Sequence, residues 1–241
     1  MSIHHCDLHI HSALSPCADN ENTPNNIVGM ALVNGLDIIA LTDHNSTANC
    51  RATVEVGRQM GVIVVPGMEL TTAEEIHVVC LFPDCDKAEA FGAEIEKRLL
   101  KIKNRTELFG NQYIMDEQDR VVGEYPWLLP NAASVSFDEV PGLVESFGGI
   151  SMPAHIDRHS NGVLAVLGEL RDDMGFSLGE ISRHATKSDY GKRFPFLRLL
   201  RDSDAHFLWD MAEADDENRL DGDFTCAADV LAEISSKKSM N

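Results

Sequence analysis

Ten histidines give this 241-residue sequence many side chains that can bind metal ions or transfer protons. Six of them stand at or just beyond an apolar run: His9, His11, His44, His77, His155 and His206. Acidic residues accompany them: Asp7, Asp43, Glu69 and Asp204. Imidazole and carboxylate groups without a cysteine motif suit Zn, Mn or Fe, and these ligand types do not choose among the three. The set predicts a divalent metal centre, although each motif alone also fits a buried or helix-capping residue.

The spacing of these residues places several of them on common faces. In a strand, residues two apart point to the same side, so Asp7, His9 and His11 project together. Asp204 and His206 repeat this spacing after another apolar run. Two imidazoles side by side can hold one metal ion.

The remaining candidates also stand near the ends of apolar runs. Glu69 comes shortly after the run 62–65, where a buried carboxylate is costly without a partner. His44 and His155 each closely follow an apolar run. The carboxyl ends of parallel barrel strands meet at one rim, where active sites are built. We therefore expect these side chains to converge there, and only His77 fits poorly, because it opens its run.

Short apolar runs alternate with segments of helical period along the chain. The runs predict strands at residues 6–10, 36–41, 62–65, 77–82, 149–153, 178–182 and 197–201. Helices are expected after Thr23-Pro24, through 48–60, through 86–103, from Ser136 to Phe147, and after Thr225. This alternation predicts an α/β fold built from βα units around a parallel sheet.

Two stretches break the alternation of strands and helices. Residues 104–136 contain two runs, 112–115 and 120–123, that could form a hairpin. We expect a small insertion there within a single domain of residues 1–241. The acidic stretch 210–223 is typical of a solvated loop.

Charge and composition restrict the expected partners and location. The 39 acidic and 20 basic residues give a net charge of −19. A chain this acidic repels a polyanion at long range, so no extended nucleic acid is expected as a partner. No apolar stretch is long enough to span a membrane, and no signal peptide is visible. Together with scattered cysteines that fit a reducing compartment, this predicts a cytoplasmic protein of undetermined oligomeric state.

The order of the motifs resembles the PHP (polymerase and histidinol phosphatase) family. The matching segments are DLHIHS, LTDHN, GME, IHVVCLF, PAHID and DSDAH, which span nearly the whole chain. The resemblance implies a distorted (β/α)7 barrel with its metal site at the carboxyl-terminal rim of the strands. It also implies two or three divalent ions and phosphoester hydrolysis by a stand-alone metal-dependent phosphoesterase.

The resemblance further implies how the ligands divide among the ions. The implied sets are His9, His11, Glu69 and Asp204 for one ion; Glu69, His77 and His155 for a second, with Glu69 bridging; and His44, His206 and one loop residue for a third. In the family a His or Asp follows the HxH motif by a few residues, and here the loop 12–20 is longer. Asp19 is the first candidate for the loop ligand, because it keeps about the expected distance to the next helix, and Cys17 is a softer alternative. Asp7 and Asp43 are expected to orient ligands rather than bind metal.

These residues predict hydrolysis of small phosphate esters, such as nucleotide or sugar phosphates. Two adjacent ions would lower the pKa of a shared water, and the resulting hydroxide would attack phosphorus in line. Asp204, His206 and Arg158 are the candidate catalytic residues; Arg158 would clamp a phosphate and a histidine at the rim would protonate the leaving alkoxide. Three alternatives stay open: an exonuclease acting on short oligonucleotide ends, a metal-dependent amidohydrolase, and a non-catalytic regulatory module.

Overall fold

The computed structural model describes residues 2–236, which form an α/β fold. The strands are β1 (Ser2–Ile10), β2 (Ile38–Leu41), β3 (Ile63–Thr71), β4 (His77–Leu81), β5 (Tyr113–Met115), β6 (Val121–Glu124), β7 (Ile150–Pro153), β8 (Leu178–Ile181), β9 (Arg198–Arg201) and β10 (Arg219–Gly222). The helices are α1 (Pro24–Val33), α2 (Cys50–Met60), α3 (Cys85–Arg98), α4 (Thr106–Phe109), α5 (Val140–Ser146), α6 (Val163–Val166), α7 (Lys187–Arg193) and α8 (Ala227–Ser235). The α/β class predicted from the sequence is confirmed.

Local sequence signals explain where several helices begin and end. The Thr23 hydroxyl accepts a hydrogen bond from the Asn26 backbone N–H, and Pro24 starts α1, as the N-cap pattern predicted. Gly61 ends α2 with a φ of +82°, a left-handed conformation that glycine adopts without strain. Ser136 and Glu139 form the predicted capping box before α5.

The main sheet curls into a half-barrel. Six strands pair in the order β10-β1-β2-β3-β4-β7, while β8 and β9 form a separate parallel pair. That pair lies between the two edges of the curl: Ile156, after β7, donates its N–H to the Glu180 carbonyl in β8 at 2.9 Å. On the other side, Ile10 of β1 forms a parallel bridge to Ala205, after β9. The curl brings the ends of distant strands to one rim.

The prediction of an all-parallel sheet is wrong at β4, which runs antiparallel to both β3 and β7. The physical reason is the short segment 72–76 between β3 and β4, because a parallel crossover needs a dozen or more residues. The reversal places the start of β4 at the same rim as the ends of its neighbours. His77 therefore lies opposite Thr71 at that rim, which explains why it opens its strand.

The stretch 210–223 is not the solvated loop that its acidity predicted. Its residues Arg219–Gly222 form β10, which pairs antiparallel with the first half of β1. β1 begins at Ser2, earlier than its apolar run, so its first half offers backbone groups that β10 satisfies. Leu220 of β10 is 2% exposed and anchors the strand in the core.

The segment 104–136 folds back over the loop that follows His11. Its β5–β6 hairpin matches the predicted one to within a residue at each strand. The Tyr113 N–H donates to the Ala13 carbonyl at 2.9 Å. Gly110 has a φ of +99°, and a Cβ added there would lie 2.1 Å from the Pro16 carbonyl oxygen. Only glycine therefore fits this contact, which fixes the path of the loop.

No helix within residues 2–236 combines the length and the apolar character needed to cross a membrane.

Asn49, at the start of α2, ties this rim together through its fully buried side chain. Its amide donates to the Ser12 hydroxyl at 2.9 Å and the Tyr113 carbonyl at 3.0 Å, and its oxygen accepts the Met115 N–H at 2.9 Å. Asn49→Ala leaves buried backbone groups unpaired, so we expect the free energy of unfolding to fall by about 3 kcal/mol in urea denaturation. The matched control is Asn26→Ala at an exposed position, which should cost less than about 0.5 kcal/mol. Equal losses for the two variants would contradict the bridging role of Asn49.

Candidate metal centre

A single buried carboxylate, Glu69, lies at the centre of the rim and is 1% exposed. Three imidazole nitrogens approach its Oε1: His77 Nδ1 at 2.8 Å, His9 Nε2 at 3.2 Å and His155 Nε2 at 3.3 Å. Two more approach its Oε2: His44 Nδ1 at 2.9 Å and His11 Nε2 at 3.4 Å. Glu69 therefore contacts all but one of the six histidines singled out from the sequence.

Asp204 and His206, which follow β9, are the other two members of the cluster. Asp204 Oδ1 lies 3.3 Å from His9 Nε2 and 3.2 Å from His11 Nε2. The His206 ring stacks on the His11 ring with centroids 4.2 Å apart. The predicted convergence of strand ends at one rim is what the structure shows for these residues.

Hydrogen bonds on the far side of two imidazoles fix their tautomers. His9 Nδ1 lies 2.7 Å from Glu180 Oε2, a pure acceptor, so in the neutral ring Nδ1 carries the proton and Nε2 has the lone pair. The Ser15 hydroxyl donates to Asp43 at 2.7 Å, so it must accept from His11 Nδ1 at 2.9 Å. Both Nε2 lone pairs therefore face the carboxylates of the cluster.

The two Nε2 atoms of His9 and His11 lie 3.2 Å apart. Lone pairs and carboxylate oxygens that converge in this way repel one another unless a proton or a metal cation lies between them. Two of those oxygens, Glu69 Oε2 and Asp204 Oδ1, are buried without a well-directed hydrogen bond from residues 2–236. The residues present therefore fit a divalent cation.

The described residues form three groups whose donor atoms lie within 4.8 Å of one another. These are His9, His11, Glu69 and Asp204; His44, Glu69 and His77; and His11, His44 and His206. The first group has the composition that the family resemblance implied. The second contains His44 where His155 was expected, and His155 stays buried beside Glu69 with its Nδ1 unpaired among residues 2–236.

The cluster couples acids and bases electrostatically. Burial opposes ionisation of Glu69, yet the imidazoles, His77 and His9 foremost, hold the pKa of its carboxyl well below its usual range. Burial also disfavours the charged form of His9, but Glu180 and Glu69 outweigh it and raise the pKa of that imidazole well above its usual range. A divalent ion would compete with these protons, so its binding would release them.

Asp19, the first candidate for the loop ligand, is not in any of these groups. Its Oδ1 accepts the backbone N–H of Glu21 at 2.9 Å, so the carboxylate stabilises its own turn. Cys17 is also absent from these groups, but its thiol interacts with the side chains of His206 and His44. Desolvation by neighbouring groups would raise the pKa of the Cys17 thiol, but His206 and His44 outweigh that effect and lower this pKa to about 5.

Arg158, the predicted phosphate clamp, lies at the mouth of the cluster. Its guanidinium donates to Asp204 Oδ2, and its side chain is 41% exposed. It lines a cavity of about 130 Å³ together with Glu69, His206 and neighbouring side chains. A cation in this position can reach an anion bound at the cluster.

Asp7 and Asp43 contact loops rather than imidazoles. Asp43 accepts hydrogen bonds from the Ser12 N–H and hydroxyl at 2.8 and 2.6 Å, and Asp7 accepts the Ser203 N–H and hydroxyl at 3.0 and 2.6 Å. Each carboxylate thus fixes the backbone next to a candidate ligand, as the sequence analysis expected of positioning residues. Sequence reasoning missed Glu180, whose signal was a carboxylate within the apolar run LGEIS.

Two residues of the cluster adopt backbone conformations that favour glycine. His155 has a φ of +28° and Asp204 a φ of +52°. Each costs on the order of 1–3 kcal/mol, which the surrounding structure must offset. Glu180 contributes to that support, since its Oε1 accepts the His155 N–H at 3.0 Å.

Comparison with protein families matches residues 7–146 to the PHP domain. The chain belongs to the PHP domain family. The resemblance inferred from the motifs is therefore confirmed.

Two curated proteins resemble parts of this PHP chain. An uncharacterized protein of Methanocaldococcus jannaschii is 33% identical over 108 residues, which cover 41% of this chain and 61% of that protein. The phosphoribosyl 1,2-cyclic phosphate 1,2-diphosphodiesterase of Eggerthella lenta is 32% identical over 80 residues, covering 31% of this chain and 29% of that enzyme. The matched regions span less than two thirds of either relative.

Two solved structures share the fold. The lesion-specific endonuclease PfuEndoQ from Pyrococcus furiosus aligns with a TM-score of 0.62 at 16% identity, over 86% of this chain and 49% of that one. A metal-dependent phosphoesterase from Bifidobacterium adolescentis aligns with a TM-score of 0.58 at 18% identity, over 83% of this chain and 87% of that one. At these identities the likeness concerns the fold.

The expectation that the chain has no extended nucleic acid as a partner is wrong, because the net charge does not exclude one. Endonuclease Q shares the fold with a TM-score of 0.62, and its structure holds a 27-mer duplex substrate with an abasic lesion at the active site. The physical reason lies in the use of net charge, which averages over the whole surface. Bound cations can reverse the sign of the potential at a rim, so an acidic chain does not exclude a polyanion there.

We expect the protein to bind two or three divalent ions per chain and Glu69→Gln to bind fewer, because Gln removes the charge that two of the groups share. Elemental analysis after equilibration with Zn²⁺, Mn²⁺ or Fe²⁺ measures the stoichiometry. Added metal should also raise the Tm, since an ion at 100 times its Kd stabilises the fold by about 2.7 kcal/mol. Glu107→Gln, at an exposed position, is the control and should bind as the wild type does. Fewer than one ion per wild-type chain would refute the metal centre.

Proposed function

We propose that this protein hydrolyses small phosphate esters, such as nucleotide or sugar phosphates, with divalent metal ions as cofactors. The observation that carries the proposal is the convergence of the His9 and His11 Nε2 lone pairs on Glu69 and Asp204. Membership of the PHP domain family supports the same chemistry.

The three groups of donor atoms would hold two or three ions of Zn, Mn or Fe. When bound there, the ions would supply positive charge that polarises the phosphoryl group. They would also lower the pKa of water, so that hydroxide is available as the nucleophile near neutral pH. Glu69, which belongs to two groups, would hold neighbouring ions close together. Ser15 and Glu180 would keep His11 and His9 in the tautomers that leave Nε2 free.

Arg158 would bind the phosphate oxygens of the substrate. Its guanidinium pairs with Asp204 and therefore reaches the oxygens of the cluster. Because the side chain is partly exposed, it could also turn toward a bound ligand. Release from Asp204 would leave that carboxylate to an ion. Arg158 therefore neutralises the substrate on the side that faces solvent.

His206 would protonate the leaving alkoxide. Its side chain is 23% exposed, and its Nδ1 lies 3.0 Å from the Asp204 carbonyl oxygen, an acceptor. Nδ1 therefore carries a proton, and Nε2 is the nitrogen that can bind an ion or hold a proton for the alkoxide.

The dimensions of the rim favour a small substrate. The cavity that Arg158 and His206 line has about 130 Å³, which admits a phosphate group. The segment 104–136, which we take as an insertion into a single distorted (β/α)7 barrel domain of residues 1–241, folds over the loop beside it. The second candidate, an exonuclease acting on short oligonucleotide ends, is supported by the fold shared with PfuEndoQ.

The two functions differ in their substrate profile. We expect kcat/KM to be higher for mononucleotides and sugar phosphates than for short single-stranded RNA or DNA, because the cavity holds one phosphate. The measurement compares these substrates at two salt concentrations, with Glu69→Gln as the inactive reference. Faster turnover of the oligonucleotides, with a steep loss at high salt, would replace the first function by the exonuclease.

Arg158→Gln should lower kcat/KM for a phosphomonoester by about 100-fold, which is typical of losing one charge-stabilising donor. The matched control is Arg58→Gln on α2, whose partner is the exposed Glu55 and which should leave kcat/KM unchanged. Equal activity of Arg158→Gln and wild type would remove Arg158 from the phosphate site.

A further inference from the structure

We propose that the Cys17 thiolate is a ligand of the ion held by His44 and His206, in the place where the loop was expected to offer Asp19. This inference rests on the proposed metal-dependent function and names a ligand for one of its ions. It makes that ion's site a mixed imidazole–thiolate site.

The three-histidine group is short of an anionic ligand. The rings of His11 and His44 lie 4.6 Å apart by their centroids, and those of His11 and His206 lie 4.2 Å apart. All three side chains are neutral ligands when they bind a metal. His11 Nε2 also faces Glu69 and Asp204, and His44 Nδ1 faces Glu69, so only His206 belongs to this group alone. A tetrahedral ion there needs further ligands.

The loop after His11 delivers Cys17 to that place. The Asp19 N–H donates to the His206 carbonyl at 2.9 Å, and the Ala18 N–H donates to the Ser15 carbonyl at 2.9 Å. These bonds hold the turn against His206. The Cys17 side chain then contacts both His206 and His44, while the Asp19 carboxylate is engaged by the Glu21 N–H.

The contact from the segment 104–136 holds this turn in place. Gly110 packs directly on the carbonyl of Pro16, the residue before Cys17, with no room for a Cβ. Cys226, the other exposed cysteine, lies at the start of α8, and the remaining four cysteines are buried. Cys17 is thus the exposed thiol that the fold aims at imidazoles.

A thiolate ligand changes which metal the site prefers. Soft sulfur donors favour Zn²⁺, Co²⁺ and Fe²⁺ over Mn²⁺ and Mg²⁺, which prefer oxygen. The ion at Cys17 should therefore differ in metal preference from the one held by His9, His11, Glu69 and Asp204. The site can then be read out spectroscopically, independently of catalysis.

The experiment reconstitutes the chelator-treated protein with Co²⁺ and records its near-ultraviolet spectrum and ion stoichiometry. We expect a sulfur-to-cobalt charge-transfer band in the wild type, in Cys226→Ser and in Asp19→Asn. Cys17→Ser should lose the band and one ion per chain. Cys17→His should keep the ion but lose the band, which shows that the variant loop is folded and competent.

Four outcomes separate the possibilities. A band that persists in Cys17→Ser overturns the assignment, and so does an ion lost in Asp19→Asn but kept in Cys17→Ser. Wild-type protein that binds ions without any thiolate band overturns the role of Cys17 while the metal centre stands. Wild-type protein that binds no Co²⁺, Zn²⁺ or Mn²⁺ refutes the metal centre and the Cys17 ligand together.

Discussion

The burial of Glu69 among five imidazoles is the constraint on which the rest of the rim depends. A carboxylate that is 1% exposed loses the stabilisation that hydration gives its charge, and neighbouring groups must replace it. Histidines supply it either as protonated partners or as fellow ligands of a cation, and the geometry serves both states. The ends of β1, β2 and β7, the start of β4 and the turn after β9 each place a histidine against this carboxylate or its neighbour Asp204.

A second layer of contacts makes that placement durable. Glu180 holds His9 by its far nitrogen and His155 by its backbone, and the Asp43–Ser15 pair does the same for His11. These groups come from β8, from the end of β2 and from the loop after β1. The imidazoles are thereby oriented by the scaffold before any ion arrives, which lowers the cost of binding.

Most residues of the cluster could be predicted from the sequence, but less of the architecture could. His9, Glu69 and Asp204 could be found because each is a costly residue type at the end of an apolar run. The direction of β4 followed from the short segment 72–76, a signal that the strand pattern alone does not weigh. β10 was not predicted, because acidic residues dominate the stretch 210–223 in which it lies. The choice between Asp19 and Cys17 depends on how a long loop folds against Gly110, a contact far away in sequence.

The β3–β4 hairpin makes one donor group of the centre more local in sequence than the other two. His44, Glu69 and His77 form one donor group and are close in sequence, and the register that pairs Thr71 with His77 sets the spacing of two of them. A local hairpin closes quickly, whereas Asp204 and His206 must return from the far end of the chain. The group of His44, Glu69 and His77 needs only the β3–β4 hairpin and the segment after β2 to lie side by side. The groups that need Asp204 or His206 form only when the segment after β9 lies beside β1, as the bridge between Ile10 and Ala205 shows, so contacts between distant parts of the chain complete the site.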